Sequence, residues 1–421
     1  MLKMASWRRD LQELESYVKN NPQIRISPNA VTIRSEHRPA FYELFDRTRA
    51  SFIKEHLHTE LEKSNELSLG WKSVCNSVKN KMDLEAITVQ SPVRDLLSDP
   101  LTYFTKLLFQ PLFDLLKSNI DADEFEDKSK QIVIKNYNND FGVGYQYWAV
   151  LALIQQLQAD AVYTVVAIDD QIDTAMAEMG PGVPPKQDTV PEAEATKTLL
   201  FENVHYCSFL TPRIIIRSKL LKRFVAFRPG FYRVLWQSQK LSENQEWLNI
   251  KNLKDTALVD LWADLALYVS DNLEDLALIA DVYNMARPDI IVDFEEKDGW
   301  FESDGIMSIL GHHEKLKPKL GSFLISRVPV PESARLNIEK QIVQDIGMDE
   351  SSPQYEKLEQ IDAKVIEESQ TSNQNPEITI KPAIELICAG YDSSSMQSIV
   401  KRMLPEPSAV KDITASPDCC K

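Results

Sequence analysis

Glycine is scarce in this 421-residue chain, at 12 residues. Neither the G-x-S-x-G elbow, nor a P-loop, nor the Rossmann or kinase glycine pattern is present, which removes the commonest nucleotide-binding and serine-hydrolase signatures. Cysteine is also sparse. Cys75, Cys207, Cys388, Cys419 and Cys420 are odd in number and scattered, and no C-x-x-C pair occurs. That pattern suggests neither a disulfide framework nor a zinc site and fits a reducing compartment, cytoplasm or organelle lumen. The pair at Cys419 and Cys420 precedes a terminal lysine and makes no prenylation box. Apolar runs are short. Trp148–Ile154 and Ala161–Ile168 fall well below the ~18–20 residues a membrane span needs. The first residues, MLKMASWRRDLQELE, have the pattern of an amphipathic helix and lack an apolar signal core.

Positive charge is in deficit as well, with 47 basic against 63 acidic side chains and a net charge of −16. Such a balance argues against nonspecific nucleic-acid binding by the whole molecule. The deficit is reversed locally, because no acid occurs between Glu202 and Glu243, a stretch holding Arg213, Arg217, Lys219, Lys222, Arg223, Arg228, Arg233 and Lys240. An anionic ligand or an acidic partner could sit there. Interleaved Phe224, Phe227 and Tyr232 leave single-stranded nucleic acid as a further, weaker option.

Long segments place apolar residues three and four apart, the spacing of packed amphipathic helices. The fold expected is all-α, or helix-dominated with a few short strands, in one large helical bundle. Its expected divisions are an N-terminal helical segment at 1–99, a main helical domain at 100–403 and a mobile tail at 404–421. Helices are expected near 5–20, 39–63, 100–118, 145–178, 191–207, 212–227, 230–241, 252–269, 271–286, 332–345, 354–368 and 393–403. Ala30–Ile33, Ile290–Phe294 and Ser322–Val328 break that pattern and are expected to be connectors or a small hairpin. The loop Met179–Thr189, with three prolines and two glycines, must end the helix before it.

That helix carries the residues with most chemical content. Within AVYTVVAIDDQIDTAMAE, Asp169 and Asp173 stand four apart and would share one helix face, with Asp170 at its edge. Like charges on an apolar helix are costly unless a cation or a basic partner neutralises them. Mg²⁺ suits such a cluster, since it commonly joins one or two carboxylates to substrate phosphates. The bland alternative is the solvated end of a long helix.

D-D-x-x-D on an apolar helix resembles the first metal motif of class I isoprenoid-diphosphate enzymes, the terpene cyclases and prenyltransferases. The resemblance implies an all-α fold, Mg²⁺ held by Asp169, Asp170 and Asp173, and ionisation of a prenyl diphosphate. Cyclisation, or transfer to a small acceptor such as an amine, would follow. The family's second metal motif has only a degenerate counterpart, Asp281 and Asn284, with Ala280 and Pro288 in place of outer ligands. Asn252, Thr256 and Asp260, or Asp304, Ser308 and His312, are other candidates. Arg233 corresponds in position to the diphosphate-sensing arginine, Arg228 and Arg223 compete for that role, and Arg287 would help hold the leaving group. The reading from another class is a non-enzymatic helical protein docking an acidic partner through Arg213–Arg233. His56, His58 and Glu60, and likewise His312, His313 and Glu314, lack helical ligand spacing.

Overall fold

The computed structural model describes residues 6–165, 193–201, 214–229, 247–249, 263–277, 284–302, 305–345 and 384–404. Seven helices come first: α1 (Ser6–Asn20), α2 (Arg38–His56), α3 (His58–Met82), α4 (Ser91–Ser98), α5 (Pro100–Leu107), α6 (Phe109–Leu116) and α7 (Ala122–Gln156). Their starts follow local chemistry. Pro39 and Pro92 occupy first-turn positions. Asp121 opens α7 with a capping box: its side chain accepts the N–H groups of Asp123 and Glu124, and Glu124 reaches back to the Asp121 N–H. Between these helices lie a hairpin, β1 (Ile24–Ser27) with β2 (Ala30–Ile33), and β3 (Ala86–Thr88).

After α7 the chain changes character. It contributes β4 (Ala159–Val165), β5 (Ala193–Thr196), β6 (Thr198–Leu200), β7 (Ile214–Ser218), β8 (Arg223–Pro229), β9 (Trp247–Asn249) and β10 (Leu265–Ser270). The helical turn α8 (Glu274–Ala277), β11 (Asn284–Ala286), β12 (Ile290–Glu295), α9 (Gly305–Leu316), β13 (Gly321–Ser326), α10 (Glu332–Asp345), β14 (Ile384–Cys388) and α11 (Gln397–Met403) follow. Eight strands make one mixed sheet in the order β14-β13-β12-β10-β8-β7-β4-β5. The strands from β5 to β12 pair antiparallel, whereas β12, β13 and β14 run parallel.

This sheet corrects the all-α expectation: the protein is α/β. Ile290–Phe294 and Ser322–Val328, expected as connectors, supply central parallel strands. The segment 212–227, expected as a helix, contains the β7–β8 hairpin, and the helix expected over 145–178 has already ended at Gln156, with β4 behind it. The physical reason is common to all of them. Strands covered on both faces lose the alternation of polar and apolar residues and read as short continuous apolar runs, which periodicity alone cannot tell from buried helix.

Both faces are indeed covered. Leu265, Leu267, Val292, Phe294, Phe323 and Ile325 join the same apolar core as Trp7, Phe52, Trp148 and Leu153 of the helices. Ala266, Tyr268, Ile291 and Leu324 point the other way, onto Ile306, Ile309 and Leu310 of α9. No helix among the described residues is long and apolar enough to cross a membrane.

Candidate acid–base site

Strands β10 and β12 are antiparallel, with Leu265 opposite Val292, which brings Asp264 and Asp293 to the same level. Asp293 meets α9 on one side of the sheet, whereas the Asp264 carboxyl is reached from α7. The Asp264 N–H donates to Asp293 Oδ1 at 3.0 Å, and the Phe294 N–H donates to Asp264 Oδ2 at 2.8 Å. Gln146, from α7, donates to the other Asp264 oxygen at 3.1 Å. Protein atoms crowd the Asp264 carboxyl, and this burial, reinforced by Asp293, raises it well above the ordinary carboxylate range.

Asp293 is 5% exposed, and so is His312 of α9. His312 Nδ1 lies 2.7 Å from Asp293 Oδ2. The contact fixes the ring plane, as carboxylates do for the imidazoles of catalytic groups. Two residues along the strand, Glu295 points to the same face as Asp293. It is half-buried, and desolvation followed by repulsion from Glu296 pushes its carboxyl up to about 7. Opposite it on β13 stands Ser326, whose Oγ accepts from Trp300 Nε1 at 2.7 Å and donates to the Val328 carbonyl at 2.7 Å. His313 is a neighbour rather than a participant. Its Nδ1 meets Ser322 Oγ at 2.7 Å, and burial lowers its pKa to about 4, so it is neutral at pH 7.

Chemically, the group contains a carboxyl that titrates near neutrality, a carboxyl that favours its proton, and a carboxylate-held imidazole. It lies at the carboxyl end of the parallel strands β12 and β13, the end at which open α/β sheets bind ligands. Acidic surroundings there favour neutral or cationic molecules over anions.

Most residues singled out in the sequence lie elsewhere. Asp169, Asp170, Asp173, Asp281, Arg233 and Arg213, and with them Asn252, Thr256, Asp260 and Asp304, fall outside the described residues. Asn284 is on strand β11, paired with Asn249, and not on a helix facing the first motif. Arg287 follows that strand, and its Nε donates to the Lys317 carbonyl. Arg228 is in β8 and buried, opposite Ala266. Within the described residues 214–229 the basic stretch is a hairpin, and two of its arginines pair with nearby acids. Arg217 forks onto Asp160 at 2.8 and 3.0 Å, and Arg223 bonds Asp271 at 2.8 Å. His56 approaches Glu126 at 3.7 Å, while exposed His58 pairs with Glu62 at 3.1 Å, so the first histidine group does not converge. Among the described residues no group of three or more His, Cys, Asp or Glu is placed to hold a metal ion.

The sequence contained a signal for Asp293 that helical periodicity concealed. An acid between Val292 and Phe294, inside a strand-length apolar run, must be partnered to be stable there. Comparison with protein families, with characterised proteins and with solved structures gave no match.

Proposed function

We propose that this protein is an enzyme of the general acid–base type, with Glu295 as the group that transfers the proton. The observation that carries the reading is the half-buried Glu295 carboxyl, pushed up to about 7, two residues from the Asp293–His312 pair. A proton donor and acceptor works best when its pKa is near the operating pH, because both forms are then populated. Asp264 and Asp293 lock β12 to β10 at that level, and His312 ties α9 to the same point, so Glu295 projects from a braced strand end. Hydrolysis or proton abstraction on a neutral or cationic substrate is the reaction class that this arrangement serves. The prenyl-diphosphate expectation loses its helical scaffold to the mixed sheet, and an anionic diphosphate would meet acids here.

The test is a direct titration. Carboxyl ¹³C shifts of glutamate-labelled protein, with Glu295 assigned from the Glu295→Gln variant, should show a midpoint near 7. Ester, amide and glycoside panels should then reveal a turnover that Glu295→Gln removes without lowering the melting temperature. A midpoint in the ordinary carboxylate range, or turnover retained in Glu295→Gln, overturns the assignment.

A further inference from the structure

His56 is the last residue of α2, and three helices meet at its ring. Phe52, one turn earlier, tilts against it at 4.7 Å, and Trp7 of α1 sets its ring edge-on at 6.2 Å. Trp7 and Phe52 in turn touch Phe125 of α7, at 5.4 and 5.2 Å, and these three aromatic side chains are fully buried. The two imidazole nitrogens have different surroundings. Nδ1 lies 3.7 Å from Glu126 Oε1 on α7, whereas Nε2 is enclosed and has no hydrogen-bond partner among the described residues.

A protonated imidazole donates from both nitrogens, so both need acceptors. The enclosed Nε2 has none in reach. A proton on Nδ1 would turn to Glu126, but that carboxylate already accepts from Lys130 at 2.7 Å and from Arg8 of α1 at 3.3 Å. Charging the ring would therefore set three cations around one carboxylate. The remaining charges at the joint are also engaged. Glu55, beside His56 in the chain, accepts the Trp7 N–H at 3.4 Å, and Asp123 accepts from Arg8 at 2.7 Å. From α3, exposed His58 pairs with Glu62. Burial of the His56 ring outweighs the pull of Glu126 and lowers its pKa below the ordinary histidine value.

The residues that a charged ring would disturb belong to the start of α1. Trp7 packs on the ring itself, and the Arg8 guanidinium, 4.9 Å from the Trp7 ring centre, would face a new positive charge. We propose that protonation of His56 loosens the start of α1 from α2 and α7, which makes this three-helix joint an acid-sensitive latch. A histidine whose folded pKa is lowered takes up its proton more readily once the joint opens. The closed joint is thus favoured above the ordinary histidine value of about 6.5 and loses ground as pH falls below it. The latch lies outside the Asp264–Asp293–Glu295 site and does not depend on its chemistry.

Hydrogen exchange in the full chain, expressed as protection factors to cancel the intrinsic pH dependence, reads the latch. Between pH 7.5 and 5.5 the amides of Asp10 to Leu14, which close the first turns of α1, should lose protection roughly fivefold. The His56 ring, followed by ¹H–¹³C shifts and assigned from His56→Gln, should titrate with a midpoint below about 6.5. His56→Gln should keep α1 equally protected at both pH values. Lys130→Ala, at a partly exposed position, frees Glu126 for the ring and should raise the midpoint and shrink the acid loss. Equal protection of wild-type α1 at both pH values, a midpoint at or above the ordinary value, or an acid loss undiminished in His56→Gln would overturn the proposal. Should His56→Gln fail to fold, Lys130→Ala decides, and an acid loss there equal to that of the wild type overturns the proposal as well.

Discussion

Asp264 and Asp293 exchange backbone contacts across the end of the β10–β12 pair, the N–H of Asp264 meeting the Asp293 carboxylate and the Asp264 carboxyl meeting the N–H of Phe294. Two acids so close cannot both ionise cheaply, and the cost falls on Asp264, the one raised by burial and by its neighbour. The pair brings β12 to the level at which Glu295 leaves the sheet.

A pH dependence follows from this. A carboxyl whose folded pKa is raised stabilises the fold fully below its unfolded value, and that contribution is lost as pH rises through the folded value. Asp264 and Glu295 are both of this kind. Wild-type stability should therefore fall, relative to Asp264→Asn, as pH rises above the ordinary carboxylate range, because asparagine has no proton to lose. Urea midpoints for the two proteins between pH 4 and 8 check this, and parallel curves would refute it.

Removing the acceptor should cost more than neutralising it. Asp293→Ala leaves the Asp264 N–H and the His312 ring without the oxygens they now meet. Each buried group so stranded costs roughly 1–3 kcal/mol. Asp293→Asn keeps one oxygen acceptor and should lose less. Equal destabilisation in the two variants, measured by urea unfolding, would show that size and not hydrogen bonding matters at this position.

Charge removal in the basic hairpin should have little effect on the fold. Arg217 is exposed and its fork onto Asp160 is a surface pair, screened by solvent and contributing little to stability. Arg217→Ala should move the urea midpoint only slightly, and the difference should shrink in high salt. A larger, salt-independent loss would mean that the side chain's packing holds β4 to β7.

The helical half of the protein was legible in its residues, and the sheet was not. Ser6–Asn20 shows the expected three-and-four spacing because it buries the stripe Trp7, Leu11 and Leu14 and exposes much of the rest. Ile214–Ser218 and Ile290–Glu295 bury both faces, so their apolar runs carry no period that distinguishes strand from helix. The candidate site suffered for the same reason. Asp264 belongs to the expected helix 252–269 and Asp293 to an expected connector, and only the pairing of their strands makes them neighbours. Such a relationship is set by tertiary register, which no local window of sequence contains.

The shared core has a consequence for how this molecule can be divided. Phe294, Phe323 and Ile325 of the sheet rest in the same apolar interior as Trp148 and Phe52 of the helices, with α7 between them. Cutting the gene after Gln156 would leave the C-terminal product with a sheet face stripped of its cover and the N-terminal product with a bare α7. Neither fragment would then be a usable reagent alone, whereas co-expression of the two should let them reassemble and copurify.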